Sequence, residues 1–246
     1  MQQSTIRIRA ADGDADSYTY APDGSGPFPG VLLYIDAIGI RPAMHEIARR
    51  IANAGYYVLM PDLFYRVPGW KDQDAKQLLT DPDRRAYLME KIIKGTTSAL
   101  AMRDTKAWLA YLDSQKNVVH DGFGLVGFCM GGRLAFVASG TYPDRVTAVA
   151  AYHPGGLATD APDSPHTLAP KIEATLYIGG AKEDSSFDDA QKARLRKALD
   201  DANVDYSLET YDAKHGWVPT DMPVHDPAEA ERAYRTILSL LETALR

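Results

Sequence analysis

The 246 residues contain one cysteine, Cys129. An intramolecular disulfide is therefore impossible, and thiolate metal clusters are excluded. No apolar run approaches the roughly 18 residues that a membrane-crossing helix needs. The opening MQQSTIRIRA alternates polar and apolar residues and has no apolar stretch of the secretory kind. A cytoplasmic protein that stays off the membrane is expected. An excess of positive charge is also missing: 27 Lys and Arg stand against 33 Asp and Glu, a net charge of −6. That balance argues against nucleic-acid backbone binding as the main task. Neither H-E-x-x-H nor H-x-H occurs, and the six histidines are scattered, so no metal is expected. There is no G-x-x-x-x-G-K-[ST] loop. The pattern G-x-G-x-x-G does occur at Gly122, Gly124 and Gly127. Its glycines straddle an apolar segment instead of following a strand and opening a helix, the context a dinucleotide fingerprint requires. Repeats, low-complexity tracts, charged tails and interdomain linkers are absent, so a single domain over 1–246 is expected.

What is present is an ordinary globular mix, 45% apolar and 24% charged. Segments 6–9 and 17–20 alternate in polarity and read as a hairpin or a pair of edge strands. A Pro- and Gly-rich loop over 21–30 leads to Val31-Leu32-Leu33-Tyr34-Ile35. This continuous apolar run suits a strand buried on both faces of a parallel sheet. The alternation then repeats, with strands predicted at 56–60, 123–126, 146–150, 174–178 and 206–210. Helices are predicted at 42–54, 84–114, 130–139, 187–202 and 227–245. Such spacing implies an α/β protein with a mostly parallel central sheet and helices on both faces.

The chemistry concentrates at Gly127-Phe128-Cys129-Met130-Gly131-Gly132, between a predicted strand and a predicted helix. It matches the nucleophile elbow G-x-S-x-G with Cys in place of Ser. Small neighbours let the backbone pass close at the sharp turn. The turn exposes Cys129 above the sheet, and the Met130 N–H points where an oxyanion would form. The plainer reading is a buried structural cysteine at a strand end. An elbow nucleophile needs an acid and then a histidine later in the chain. Of the histidines, His215 has the right order, lies just past a strand and precedes Gly216. The loop after 174–178 offers Glu183, Asp184, Asp188 and Asp189; Asp184 is the choice, with Glu183 next. Asp184 or Ser185 could instead only cap the following helix. The loop after the strand at 31–35 supplies the second oxyanion N–H in this architecture, which points to Ala37. Asp36 would then set a carboxylate near the nucleophile, or serve only as a turn residue.

With these residues in place, the chain resembles the dienelactone hydrolase (carboxymethylenebutenolidase-like) family of α/β hydrolases over nearly its whole length. The resemblance rests on Pro61-Asp62-Leu63-Phe64, on the Gly-Phe-Cys-Met-Gly-Gly elbow and on His215-Gly216-Trp217. It implies an α/β-hydrolase fold, a Cys129–His215–Asp184 catalytic set and no cofactor. It also implies a carboxylate beside the cysteine that partners the protonated thiol until substrate binds. That carboxylate is Glu in the family, and Asp36 is one methylene shorter. The family holds its substrate carboxylate with two arginines. One falls on Arg84 or Arg85; the position of the other is Pro219, which carries no cation. Trp217, Tyr152 and His153 are further candidates for lining the cleft, although Trp217 could be a core residue and Arg84 and Arg85 merely solvated. The implied protein is a monomeric or dimeric hydrolase of small-molecule esters, lactones or enol-lactones acting through a thioester. The rivals are a thioesterase or peptidase on the same triad, and a member of the fold that binds a ligand without catalysis.

Overall fold

In the computed structural model, which describes all 246 residues, the chain opens with β1 (Gln2–Arg9) and β2 (Asp14–Ala21), antiparallel partners. There follow β3 (Phe28–Tyr34), β4 (Tyr57–Pro61), β5 (Val118–Phe128), β6 (Val146–Tyr152), β7 (Thr175–Glu183) and β8 (Tyr206–Lys214). They make one sheet in the order β1-β2-β4-β3-β5-β6-β7-β8. Pairing is antiparallel from β1 through β2 to β4 and parallel from β4 onward. This is the α/β-hydrolase fold, a mostly parallel sheet.

The continuous apolar run of β3 is explained by cover on both sides. The Tyr34 hydroxyl meets Thr105 of α4 (Ser98–Ser114) at 2.7 Å. On the opposite face, the space above Gly124 of β5 is filled by Leu241 and Leu245 of α7 (Pro227–Leu245). On that same face α1 (Pro42–Asn53) lies alongside α7, tied to it by Arg50–Glu231 at 2.7 Å. In α1 the buried residues Met44, Ile47, Ala48 and Ile51 recur at helical spacing. Pro42 sits in the first turn, where its missing N–H is no loss, and Gly55 at φ 107° follows the last turn. The helix α5 (Met130–Thr141) packs against α4 and is buried on nearly every side, as its uninterrupted small and apolar sequence requires. Each fully buried Leu or Phe in this core contributes about 1.5–3 kcal/mol. The last crossover helix, α6 (Asp189–Asp201), is capped by Asp188, whose carboxylate accepts from Gln191 N–H at 2.8 Å. Asp184 and Ser185 therefore do not serve as that cap.

The single helix predicted over 84–114 is broken. A short helix α2 (Ala75–Thr80) precedes it, and the segment itself holds most of α3 (Pro82–Tyr87), a π-helical stretch (Leu88–Ile93) and, after a gap, α4. Polar caps and Pro82 decide the breaks. The Asp81 carboxylate accepts from Asp83 and Arg84 N–H, and Thr97 caps α4 by accepting from Leu100 N–H. The pieces before α4 bury Ala75, Leu78, Leu88 and Ile92 while leaving Tyr87 and Met89 largely exposed, and they roof the carboxyl end of the sheet. No helix is long and apolar enough to cross a membrane.

Candidate active site

Strands β3, β5, β6, β7 and β8 run parallel, so the loops at their carboxyl ends converge on one edge of the sheet, where open α/β sheets bind ligands. At the end of β5, Cys129 takes φ 54° and ψ −121°, a left-handed conformation that L residues rarely hold. Close backbone contacts enforce it. A Cβ on Gly127 would lie 2.2 Å from the Gly131 carbonyl oxygen, and one on Gly131 would lie 2.3 Å from that of Tyr34. Only glycine fits at either place, so the chain turns sharply and carries the cysteine above the sheet.

His215, just past β8, places Nε2 3.1 Å from Cys129 Sγ, and its Nδ1 lies 2.7 Å from Asp184 Oδ2. Asp184 is at the end of β7, and its Oδ1 accepts from the Ser186 N–H (2.8 Å) and hydroxyl (2.6 Å). Burial opposes the charge on His215, but the Cys129 sulfur and Asp184 outweigh it and push the imidazole up to about 10. For Asp184, burial works to raise the carboxyl, and the hydrogen bonds from His215 and Ser186 overcome it and bring it below the usual carboxylate range. The arrangement therefore favours an imidazolium at His215, held between the Asp184 carboxylate and the Cys129 sulfur.

His153, at the end of β6, holds Cys129 from the other side: its Nδ1 accepts the Cys129 N–H at 3.0 Å. Burial, reinforced by the charge of His215, holds His153 well below the normal histidine range. It is thus neutral with its proton on Nε2. Tyr152 and Trp217, by contrast, are fully buried and do not line the cleft. Trp217 stacks on Tyr211 with centroids 4.8 Å apart and packs edge-on against His153. Both residues support the site from below, which corrects the expectation that they face substrate. The apolar rings of this cluster gain more from mutual packing than from exposure.

After β3, the turn 36–39 leaves the Ala37 N–H for a ligand. The Ile38 N–H donates to Asp36 Oδ1 (3.0 Å) and the Gly39 N–H to the Asp36 carbonyl (3.2 Å), while the Ala37 carbonyl accepts from Trp70 Nε1 (3.0 Å). Met130 is the first residue of α5, so its N–H lacks an intrahelical acceptor. Ala37, Met130 and Cys129 border the same cavity. Asp36 differs from expectation. Its carboxylate is gripped by Arg41, with Nη1 at 2.7 Å and Nη2 at 2.8 Å, and makes no hydrogen bond to Sγ. Arg41, 1% exposed, also binds Asp221 at 2.6 Å. A desolvated guanidinium next to Asp36 claims both carboxylate oxygens more strongly than a thiol could, so the side chain is turned to its own loop.

The cavity has a volume of about 670 Å³, the size of a small-molecule site. Leu79, Leu88, Met89 and Ile93 from the segment before α4 form its apolar side. Of the two arginine candidates, Arg85 lines the cavity, whereas Arg84 is exposed and lies 3.9 Å from Asp81. Arg41, Ser186, Arg133 and the apolar group Leu79, Leu88, Met89 and Ile93 escaped sequence reasoning. Arg133 alone had a readable signal, since it follows Cys129 by four residues, in the first turn of the helix. No group of three or more His, Cys, Asp or Glu side chains is placed to hold a metal ion.

Against known proteins, a profile of the dienelactone hydrolase family matches residues 15–245. The chain is 27% identical over 240 residues to a Synechocystis sp. protein described as "Putative carboxymethylenebutenolidase", covering 93% of this chain and 92% of that one. It is 30% identical over 173 residues to carboxymethylenebutenolidase of Rhodococcus opacus, covering 70% of this chain and 61% of the relative. Among solved structures, one described as "Putative Dienelactone Hydrolase" from Klebsiella pneumoniae superposes with a TM-score of 0.85 at 18% identity, over 98% of each chain. That last likeness carries the fold.

Proposed function

The chain belongs to the dienelactone hydrolase family, which makes it a lactone and ester hydrolase, and from that premise we propose that it works through Cys129 and a thioester acyl-enzyme. The observation that carries this reading is the continuous Cys129–His215–Asp184 alignment at 3.1 and 2.7 Å. Sγ attacks the carbonyl carbon, and the charge that develops on the carbonyl oxygen is received by the N–H groups of Ala37 and Met130. In other hydrolases a single donor of this kind contributes about 3–4 kcal/mol. The tetrahedral species collapses as the carbon–oxygen bond to the leaving alcohol breaks, and His215 Nε2 gives that oxygen its proton. Opening a lactone leaves the alcohol and acyl ends in one molecule.

The second half needs His215 as a base, which a histidine pushed up to about 10 would not be. Acylation removes the difficulty. Once sulfur is bonded to carbon it carries no charge, and the foremost influence holding the proton on His215 is gone. The imidazole then takes a proton from water, the hydroxide attacks the thioester, and the carbon–sulfur bond breaks to return the thiolate. Asp184 holds Nδ1 throughout and so keeps Nε2 directed at the sulfur.

The test is a hydrolysis screen of aryl esters, lactones, enol-lactones and acyl thioesters with wild-type and Cys129→Ala protein, read by rate and by intact-mass detection of a trapped acyl adduct. Turnover in the wild type, its loss in Cys129→Ala, and an adduct on Cys129 are expected. Wild-type rates in Cys129→Ala overturn the mechanism. Ligand binding without turnover of any class would favour the non-catalytic alternative.

A further inference from the structure

Arginines with restricted solvent access are generally paired in this protein. Arg41 grips Asp36 and Asp221, Arg66 holds Asp104 and Asp12, and Arg145 meets Asp113. Arg133 breaks the pattern. It is partly buried on α5, borders the cavity and has no ion pair or side-chain hydrogen bond; Asp163 is the one carboxylate whose charge reaches it. Leaving a partly desolvated guanidinium unpaired is costly. The surroundings also make room for it. A Cβ on Gly156, a residue at φ 65°, would come within 2.8 Å of Arg133 Nη1. Gly155, Gly156 and Thr159 border the cavity beside it. Arg133 lies in the first turn of α5, its N–H donating to the Cys129 carbonyl at 3.2 Å, and both side chains border the same cavity. A guanidinium one turn from the nucleophile and open to the cavity is suited to bidentate contact with a carboxylate.

We propose that Arg133, at the Gly155–Gly156 turn, forms a binding subsite for a carboxylate of the substrate, on the α5 wall of the cavity. This inference rests on the hydrolase reading and adds to it a residue and a place: an anionic group of the ester or lactone is held on the α5 wall, by Arg133. The subsite is built from α5 and the loop after β6, apart from both Arg85 and the Pro219 position. Partial burial makes Arg133 the more effective of the two cavity arginines, since Arg85 is exposed and its charge is screened.

Two measurements test it. In the first, glutarate and glutaramide are titrated calorimetrically into wild type, Arg133→Gln, Arg133→Lys and Asp163→Asn. Glutarate binding is expected to weaken at least tenfold in Arg133→Gln, to recover partly in Arg133→Lys, and to hold or tighten in Asp163→Asn, with glutaramide weak throughout. Equal glutarate affinity in wild type and Arg133→Gln overturns the proposal. So does weakening in Asp163→Asn that matches Arg133→Gln, which would make Arg133 a structural partner of that loop. In the second, aryl esters carrying a carboxylate on the acyl chain or on the leaving alcohol are each compared with their methyl-capped forms. The acid-to-neutral ratio of kcat/KM is expected to fall at least tenfold in Arg133→Gln for one of the two series, which identifies the side that binds; no fall in either overturns the subsite. The titration needs no turnover. Glutarate binding that depends on Arg133 in a protein that hydrolyses nothing would sustain the subsite and remove only the hydrolase reading.

Discussion

Breaking the Asp36–Arg41 pair separates two roles for Asp36: partner of the thiol, or anchor of the oxyanion loop. Asp36→Asn keeps the shape of the side chain but removes the charge that receives Arg41 Nη1 and Nη2 at 2.7 and 2.8 Å. Removing one member of a buried ion pair costs about 3–5 kcal/mol, because the other charge is left uncompensated. Here Asp221, 34% exposed, still holds Arg41 at 2.6 Å, so the lower end applies, about 3 kcal/mol. In a domain of this size each kcal/mol moves Tm by roughly 2–4 °C, which puts the expected fall at about 6–12 °C. Arg41→Met should cost more, near 5 kcal/mol, because Asp36 then keeps only the Ile38 N–H. The double variant Asp36→Leu/Arg41→Met removes both charges and should recover part of the loss, giving a measurable coupling in a double-mutant cycle. The assays are thermal denaturation and the rate at which iodoacetamide alkylates Cys129 at neutral pH. Single variants within about 2 °C of wild type, combined with a roughly tenfold rise in alkylation for Asp36→Asn, would refute this reasoning and return Asp36 to the sulfur.

Two further outcomes follow from the same geometry. Gly131→Ala places a Cβ 2.3 Å from the Tyr34 carbonyl oxygen and 2.4 Å from that of Ile35; both are backbone atoms of a buried segment, so a loss of about 1–3 kcal/mol and a fall in kcat/KM are expected, and an unchanged Tm with full activity would contradict the close-approach argument. For His215, raised to about 10 by Cys129 and Asp184 against the effect of burial, the imidazolium NMR signals should persist through neutral pH and fade only as pH nears that value. Cys129→Ala removes the sulfur's contribution, so the midpoint should drop by at least about one unit; an unmoved midpoint would show that Asp184 alone holds the proton.

Local chemistry made much of this protein readable before any contact was known. The apolar run at 31–35 suits a strand covered on both faces, and the elbow needs small residues at Gly127 and Gly131 because the backbone passes there at van der Waals limits. The order of nucleophile, acid and histidine is likewise a property of the chain, and Asp184 and His215 lie at the carboxyl ends of β7 and β8 as that order implies. What escaped depended on partners distant in sequence. Arg41 binds Asp221 across 180 positions, and nothing local distinguishes it from a solvated arginine. Nor does local sequence show that Asp36 faces this guanidinium and not the sulfur, since a carboxylate goes to whichever donor the fold brings nearest. Trp217 and Tyr152 follow the right strands to line a cleft, yet edge-to-face packing with each other beneath His153 takes them into the core. Arg84 and Arg85 are adjacent on a short helix, and only the placement of that helix over the sheet turns one to the cavity and the other to Asp81. Residue type and spacing set which groups can react and in what order along the chain. The pairing of charges and the inward or outward turn of each aromatic were left to packing, because those choices depend on free energies shared with residues far away in sequence.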